Sequence, residues 1–367
     1  MFWRTFGGSI AVTVVGLGLA LLYGSGTGLA VAAILAVLEV SLSFDNAVVN
    51  ATVLVRMSPF WQRIFLTVGV AIAVFGMRLV FPLLIVGITA KLGPIEAIRL
   101  ALEKGDPDEK GTYGYLLHDA HPAIAAFGGL FLLMLFLDFI FEERELTWLS
   151  WIERPLARIG KLDQLSVVVA LGALAASAEF LAPKDKVSTV LVSGVLGMAT
   201  YLAVNGLGEL FNAGEEHEEL EDGSKRLVLA VGKAAFFLFL YLEVLDASFS
   251  FDGVVGAFAI TSDPIIIAIG LGIGAMFIRS LTVYLVHKGT LQEYEYLEHG
   301  ALWAIGALAV LLLVTMRHEV PEVVTGLIGV GFIGAAFASS IVRNRRTPSD
   351  EVHHVEINTP SVAVGER

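Results

Sequence analysis

The sequence predicts an all-α polytopic membrane protein of about ten transmembrane helices, in two inverted repeats with broken acidic helices at the repeat interface. Three observations carry this prediction. Of 367 residues, 56% are hydrophobic and only 16% charged, whereas a soluble domain carries about 25% charged residues. The apolar residues fall in runs that approach or exceed the ~20 residues a helix needs to cross a bilayer. Two related acidic segments lie inside those runs, one in each half of the chain.

The apolar segments run approximately over 9–23, 28–55, 61–90, 122–141, 165–182, 187–209, 227–260, 264–287, 301–316 and 321–342. The second, third and seventh exceed a straight crossing, which predicts tilt or a break. Residues 1–342 therefore form one transmembrane domain, with repeat one over about 9–182 and repeat two over about 187–342. Residues 343–367 are polar and read as a disordered cytoplasmic tail. Met1 to Gly24 has the charge and apolar stretch of a signal peptide. It is read as a retained first span, because a second span follows directly with no clear cleavage site. On ten spans, loops on the N-terminal side carry roughly 13 Lys/Arg against about 7 opposite. Both termini are then cytoplasmic, in the cell (plasma) membrane.

The formal net charge of −12 concentrates in two loops, Glu96 to Asp119 and Glu209 to Asp222. Such runs are ordinarily solvated loops; the functional alternative is an acidic vestibule that gathers cations. Negative charge argues against a nucleic-acid partner. There is no cysteine, so any metal site must use oxygen or imidazole ligands.

The repeat emerges when Ser43-Phe44-Asp45 is set on Ser250-Phe251-Asp252, which places Glu39 opposite Asp246. One span later Gly76-Met77-Arg78 meets Phe277-Ile278-Arg279, and His121 and His299 each open the apolar run after that. Five spans separate the acidic segments, and an odd number inverts one against the other. Inverted-repeat transporters have that arrangement, with the substrate site near the membrane midplane.

Charged side chains deep in a bilayer are costly and ordinarily functional. Glu39, Asp45, Glu243, Asp246 and Asp252 all occupy such positions. The plain alternative is that they pair with Arg78 and Arg279 to hold helices together. Two arginines cannot neutralise five carboxylates, so the remainder are protonated, wet or bound to a cation. At 100° per residue Glu39, Ser43, Asn46 and Asn50 share one stripe. In the second segment Glu243, Asp246 and Ser250 share a face, with Asp252 across the axis from Glu243. Breaks near Asp45-Asn46 and Asp252-Gly253 would aim these groups at one ion and free carbonyls as further ligands. Oxygen donors without sulfur suit a hard divalent cation: manganese, magnesium or calcium. Glu179 is a weaker candidate for a proton or ion relay. Asp138, Glu142 and Glu143 read as interfacial, His121 and His299 as interfacial or hydrogen-bonded, and Lys233 as snorkelling.

Glu39-Val-Ser-Leu-Ser-Phe-Asp45-Asn46-Ala-Val-Val resembles the first signature of the TerC family, integral membrane proteins named for tellurium resistance. Glu243-Val-Leu-Asp246-Ala-Ser-Phe-Ser-Phe-Asp252, with Ala257 to Pro264 and Arg279, resembles the second. The resemblance covers about residues 30–90 and 236–340, and the region between is atypical, as of a divergent branch. It implies manganese efflux, within a wider superfamily that includes lysine exporters. It carries over Glu39, Asp45, Asn46, Glu243, Asp246 and Asp252 as the cation site. Gly253 departs from the position matching Asn46, and the usual lysine near Glu298 is absent.

The leading expectation is therefore a divalent-cation exporter working by alternating access, with protons as counter-ion, no permanently bound cofactor and no enzymatic activity. A second reading is a membrane assembly partner that helps insert or metallate secreted proteins alongside the secretion machinery. A third, an intramembrane aspartyl protease, lacks the Gly-x-Gly-Asp type segment such enzymes need.

Overall fold

The structure is a computed structural model. It describes residues 2–144, 146–162, 164–210, 217–219, 225–227, 229–288, 293–318 and 320–346. Elements in chain order are α1 (Phe2–Leu42), α2 (Phe44–Leu54), α3 (Pro59–Ile64), two π-helical segments (Phe65–Gly69 and Ile72–Val80), α4 (Phe81–Thr89), α5 (Pro94–Leu102) and α6 (Tyr113–Phe141). There follow α7 (Ser150–Ile159), α8 (Leu165–Phe180), α9 (Val187–Leu210), α10 (Gly232–Ile260), α11 (Pro264–Lys288), α12 (Leu297–Thr315) and α13 (Glu322–Arg346). The β structure among the described residues is a short antiparallel pair, His217–Glu219 with Lys225–Leu227, and an isolated bridge between Met57 and Ala230.

Seven helices among the described residues are long and apolar enough to cross a bilayer, which makes the protein membrane-embedded and in contact with lipid. The expected count of ten falls to seven for three reasons. The first expected segment and the first part of the second lie in one helical run, α1, and the rest of the second is the 11-residue α2. The fifth is only the 16 residues of α8. The seventh, α10, is helical throughout its 29 residues, but side chains at 251, 252, 255 and 259 lie outside the described ones, so it is not counted among the seven. The last span continues as helix to Arg346, and the remainder of the expected tail, 347–367, lies outside the described residues.

α1 is not straight. Ser25 has φ 58 and ψ −158 inside it, and the packing on α11 shows what this does. Phe6 lies beside Phe277 and Tyr284, and the Ser9 hydroxyl donates to Met276 O at 3.0 Å. Gly16 then faces Ile273, and Gly24 faces Ile266. After Ser25 the order reverses: Gly28 faces Ile266, Leu35 faces Gly270 and Glu39 faces Gly274. The chain doubles back at Ser25, so residues 2–24 run antiparallel to α11 and 26–42 run parallel to it.

The expected pair of broken acidic helices is not what the structure shows. α10 is continuous from Gly232 to Ile260, straight through Asp252 and Gly253. Around its acidic residues the first helix is interrupted at Ser43 (φ −98, ψ 17), and Ser43 N still bonds Glu39 O at 2.9 Å. That retained bond keeps α2 close to the line of α1.

Connections gather at two ends of the bundle. At one end Ala230 N bonds Arg56 O, Arg144 approaches Glu298 and Arg343 pairs with Glu295. At the other Lys104 pairs with Asp263, Lys186 with Asp119, and Arg317 donates to Phe180 O. The main core surrounds α6, where Leu130, Phe131 and Leu132 are fully buried against α9, α10 and α12. α1 shows the opposite pattern, with Leu22 85% and Val14 69% exposed, an apolar surface suited to lipid.

Candidate functional site between the spans

Two acid–arginine clusters are buried where α1, the π segments, α10 and α11 meet. In the first, Arg78 donates to Glu39 through Nη2 and to Ala73 O through Nη1 at 2.6 Å. The Ser43 hydroxyl adds a bond to Glu39 Oε1 at 3.2 Å. Two glycines make room for this carboxylate. A Cβ on Gly253 would lie 3.1 Å from Glu39 Oε2, and one on Gly274 would overlap Glu39 Cβ and Cγ. Gly253 thus stands where α10 must pass close to Glu39.

In the second cluster Arg279, 2% exposed, serves two carboxylates of α10. Its Nη1 donates to Glu243 Oε1 at 3.1 Å, and its Nη2 to Glu243 Oε2 at 3.3 Å and Asp246 Oδ2 at 3.1 Å. Phe65 supports the guanidinium twice, by its carbonyl at 3.1 Å and by its ring, 4.1 Å from the charge centre. Gly69 again leaves the space, since a Cβ there would fall 2.6 Å from Glu243 Oε1 and overlap Arg279. Carbonyls of both π segments, Phe65 O and Ala73 O, therefore accept from arginine side chains, in keeping with the tendency of π segments to occur at functional sites.

Setting Ser43-Phe44-Asp45 on Ser250-Phe251-Asp252 aligns Glu39 with Asp246, whereas Arg78 and Arg279 align only after a six-residue shift. Each arginine nonetheless pairs with the carboxylate of its own half, Arg78 with Glu39 and Arg279 with Asp246. Their charges do not balance. Two arginines meet Glu39, Glu243 and Asp246, leaving one carboxylate in excess.

Asn46 and Asn50 are buried in α2, and neither amide atom of Asn50 has a hydrogen-bond partner. The Ser250 hydroxyl is likewise buried without one. The side chains of Asp45 and Asp252 lie outside the described residues. Among the described residues no three His, Asp or Glu side chains stand together as a metal-holding group.

The profile of the family described as "Protein of unknown function (DUF475)" matches residues 44–347, most of the chain. The chain belongs to the DUF475 family. No curated protein and no solved structure matches it. The TerC resemblance read from the acidic segments is thereby corrected: the matching family is DUF475, not TerC. The resemblance rested on short strings of Ser, Phe and Asp in apolar helices, whereas the DUF475 match spans the atypical middle region as well. It begins at Phe44, so Glu39 lies before it, while Arg78, Glu243, Asp246 and Arg279 lie within it.

In this DUF475 protein a fourth buried carboxylate, Glu153, escaped the sequence reading. It accepts from Trp148 N at 2.9 Å, Leu149 N at 3.1 Å and Trp303 Nε1 at 3.1 Å, so it caps α7 and pins that helix to α12. The signal was present in Ser150-x-x-Glu153, a capping-box spacing. His299 lies 3.8 Å from it and bonds Leu146 O, as its hydrogen-bonded reading expected. Asp138, read as interfacial, accepts from the Tyr201 hydroxyl at 2.7 Å. Glu179 is exposed on α8, away from both clusters.

Proposed function

We propose that this DUF475 protein is a secondary transporter that moves a small, hard divalent cation across the membrane, with protons exchanged at the same carboxylates. The observation that carries the reading is Arg279 shared between Glu243 and Asp246. A charged group at the bilayer centre costs about 2.5–3.5 kcal/mol on insertion scales. An excess carboxylate held there must be offset by a proton or a cation, and the exchange of one for the other is coupled transport.

The pairs Glu39–Arg78 and Asp246–Arg279, one in each half, support a two-fold, inverted architecture of five plus five segments, the two arms of α1 counting separately. In such folds a central site opens to each face in turn. Carboxylate, amide and hydroxyl oxygens, with the partnerless Asn50 amide and Ser250 hydroxyl among them, suit manganese, magnesium or calcium. Asp45 and Asp252 join the set from their places in the acidic segments. The excess of loop Lys/Arg on one side supports cytoplasmic termini, and export is the direction proposed.

Cells lacking the protein should accumulate manganese, magnesium or calcium above wild-type levels. The wild-type gene should restore the lower level, and Asp45→Asn or Asp252→Asn should not. Equal metal content in all five strains would remove the reading.

A further inference from the structure

A chamber of about 870 Å³ opens at the end of the bundle where α2, α6, α9 and α10 converge with the start of α12. It belongs to neither acid–arginine cluster. Its walls include Thr52, Arg56, Asp138, Tyr201, Asn205 and His299. A water occupies about 30 Å³ in the liquid, so a hydrated divalent ion fits with space to spare. A polar void of this size among membrane helices is suited to solvent rather than lipid.

Three features direct the chamber toward cations. Asp138 is half-buried in its wall, held in place by the Tyr201 hydroxyl at 2.7 Å. At the mouth, Arg144 is engaged by Glu142 at 2.7 Å and lies 3.8 Å from Glu298, with its charge centre 4.4 Å from the Phe139 ring. The third feature is the route inward. Val49, Thr52, Val53 and Arg56 of α2 line the chamber at the 3–4 spacing of one helix face. Next to Val49 stands Asn50, with 0% exposure and both amide atoms unpartnered. A buried amide in that condition is costly, a cost a passing cation and its shell would relieve. Ser43 and Glu39 follow toward the other end of the same bent helix.

We propose that this chamber is the vestibule through which the transported cation reaches the acid–arginine clusters from one face of the membrane, with Asp138 the carboxylate that receives it. The proposal rests on the transport reading and adds the route and the first binding group.

The chain has no cysteine, so single introduced cysteines are unique labels. In proteoliposomes of known orientation, Thr52→Cys and Asn205→Cys should react with a membrane-impermeant charged thiol reagent from one face only. Leu22→Cys, on the lipid-facing surface, should not react. Manganese at ten times its half-saturating concentration should slow labelling of Thr52→Cys about tenfold, because only the unoccupied chamber reacts. Adding Asp138→Asn should leave one-sided labelling intact, which shows the fold is kept, and abolish the protection. Labelling from both faces or neither, or protection unchanged by Asp138→Asn, overturns the vestibule even if the wild type transports. One-sided labelling without any cation flux or protection in the wild type overturns the transport reading, and Asp138's role with it.

Discussion

Arg279 reaches Asp246 at 3.1 Å with the same Nη2 that donates to Glu243, so one guanidinium holds two carboxylates of a single helix. Removing it leaves both carboxylates buried without their cation. Breaking a buried pair in this way costs about 3–5 kcal/mol, because the stranded charges keep their desolvation penalty. Arg279→Gln should therefore lower the thermal unfolding midpoint in detergent strongly. The double variant Arg279→Gln/Glu243→Gln should recover part of the loss, and equal midpoints for single and double variants would count against the shared clamp.

The glycines beside the clusters make a second, steric prediction. Gly69→Ala and Gly274→Ala each place a methyl group into a carboxylate or its arginine, and overpacking of this kind costs about 1–3 kcal/mol. Gly172→Ala, with nothing within 4 Å of the added carbon, is the control. It should hold or raise the midpoint, while the other two lower it.

Much of the bundle was legible because lipid-crossing runs are set by local composition. Most of each of the ten apolar segments is helical among the described residues, and Arg78 and Arg279, the two intramembrane arginines singled out in the sequence, lie against Glu39 and Asp246. What was not legible depends on distant contacts. Glu153 is buried because Trp303, 150 positions away, donates to it. The length of α7 and its pinning to α12 could not be read from Ser150–Ile159 alone. The expected break at Gly253 failed for a related reason. A glycine in an acidic helix reads as a flexible joint, whereas here its missing side chain admits Glu39 from another helix. The same local view promoted two short motifs to a TerC resemblance that the DUF475 match corrects.

Ser25 carries the reversal in α1 with φ 58 and ψ −158, a region that is essentially glycine territory and costs other residues about 1–3 kcal/mol. Ser25→Gly should raise the unfolding midpoint by relieving that strain. Ser25→Val, β-branched, should lower it. A destabilising Ser25→Gly would show that the turn is not strained.

Glu153→Gln should loosen α7. The neutral amide weakens the bonds from Trp148 N, Leu149 N and Trp303 Nε1, each worth about 1.5–3 kcal/mol when its acceptor is charged. Hydrogen exchange over residues 148–159 should accelerate at least tenfold while exchange in α10 and α11 stays unchanged. Acceleration spread evenly over the protein would mean that Glu153 supports the whole fold rather than this helix.

The central claim is that the excess carboxylate beside Arg279 carries a cation. Its most direct test is radiolabelled manganese uptake into proteoliposomes under an imposed pH gradient, comparing wild type with Asp246→Asn. The account predicts gradient-driven uptake by the wild type, with magnesium or calcium competing if either is the preferred ion. It also predicts near-complete loss in Asp246→Asn while the Glu243–Arg279 pair keeps the protein folded. Equal uptake by both proteins would contradict it.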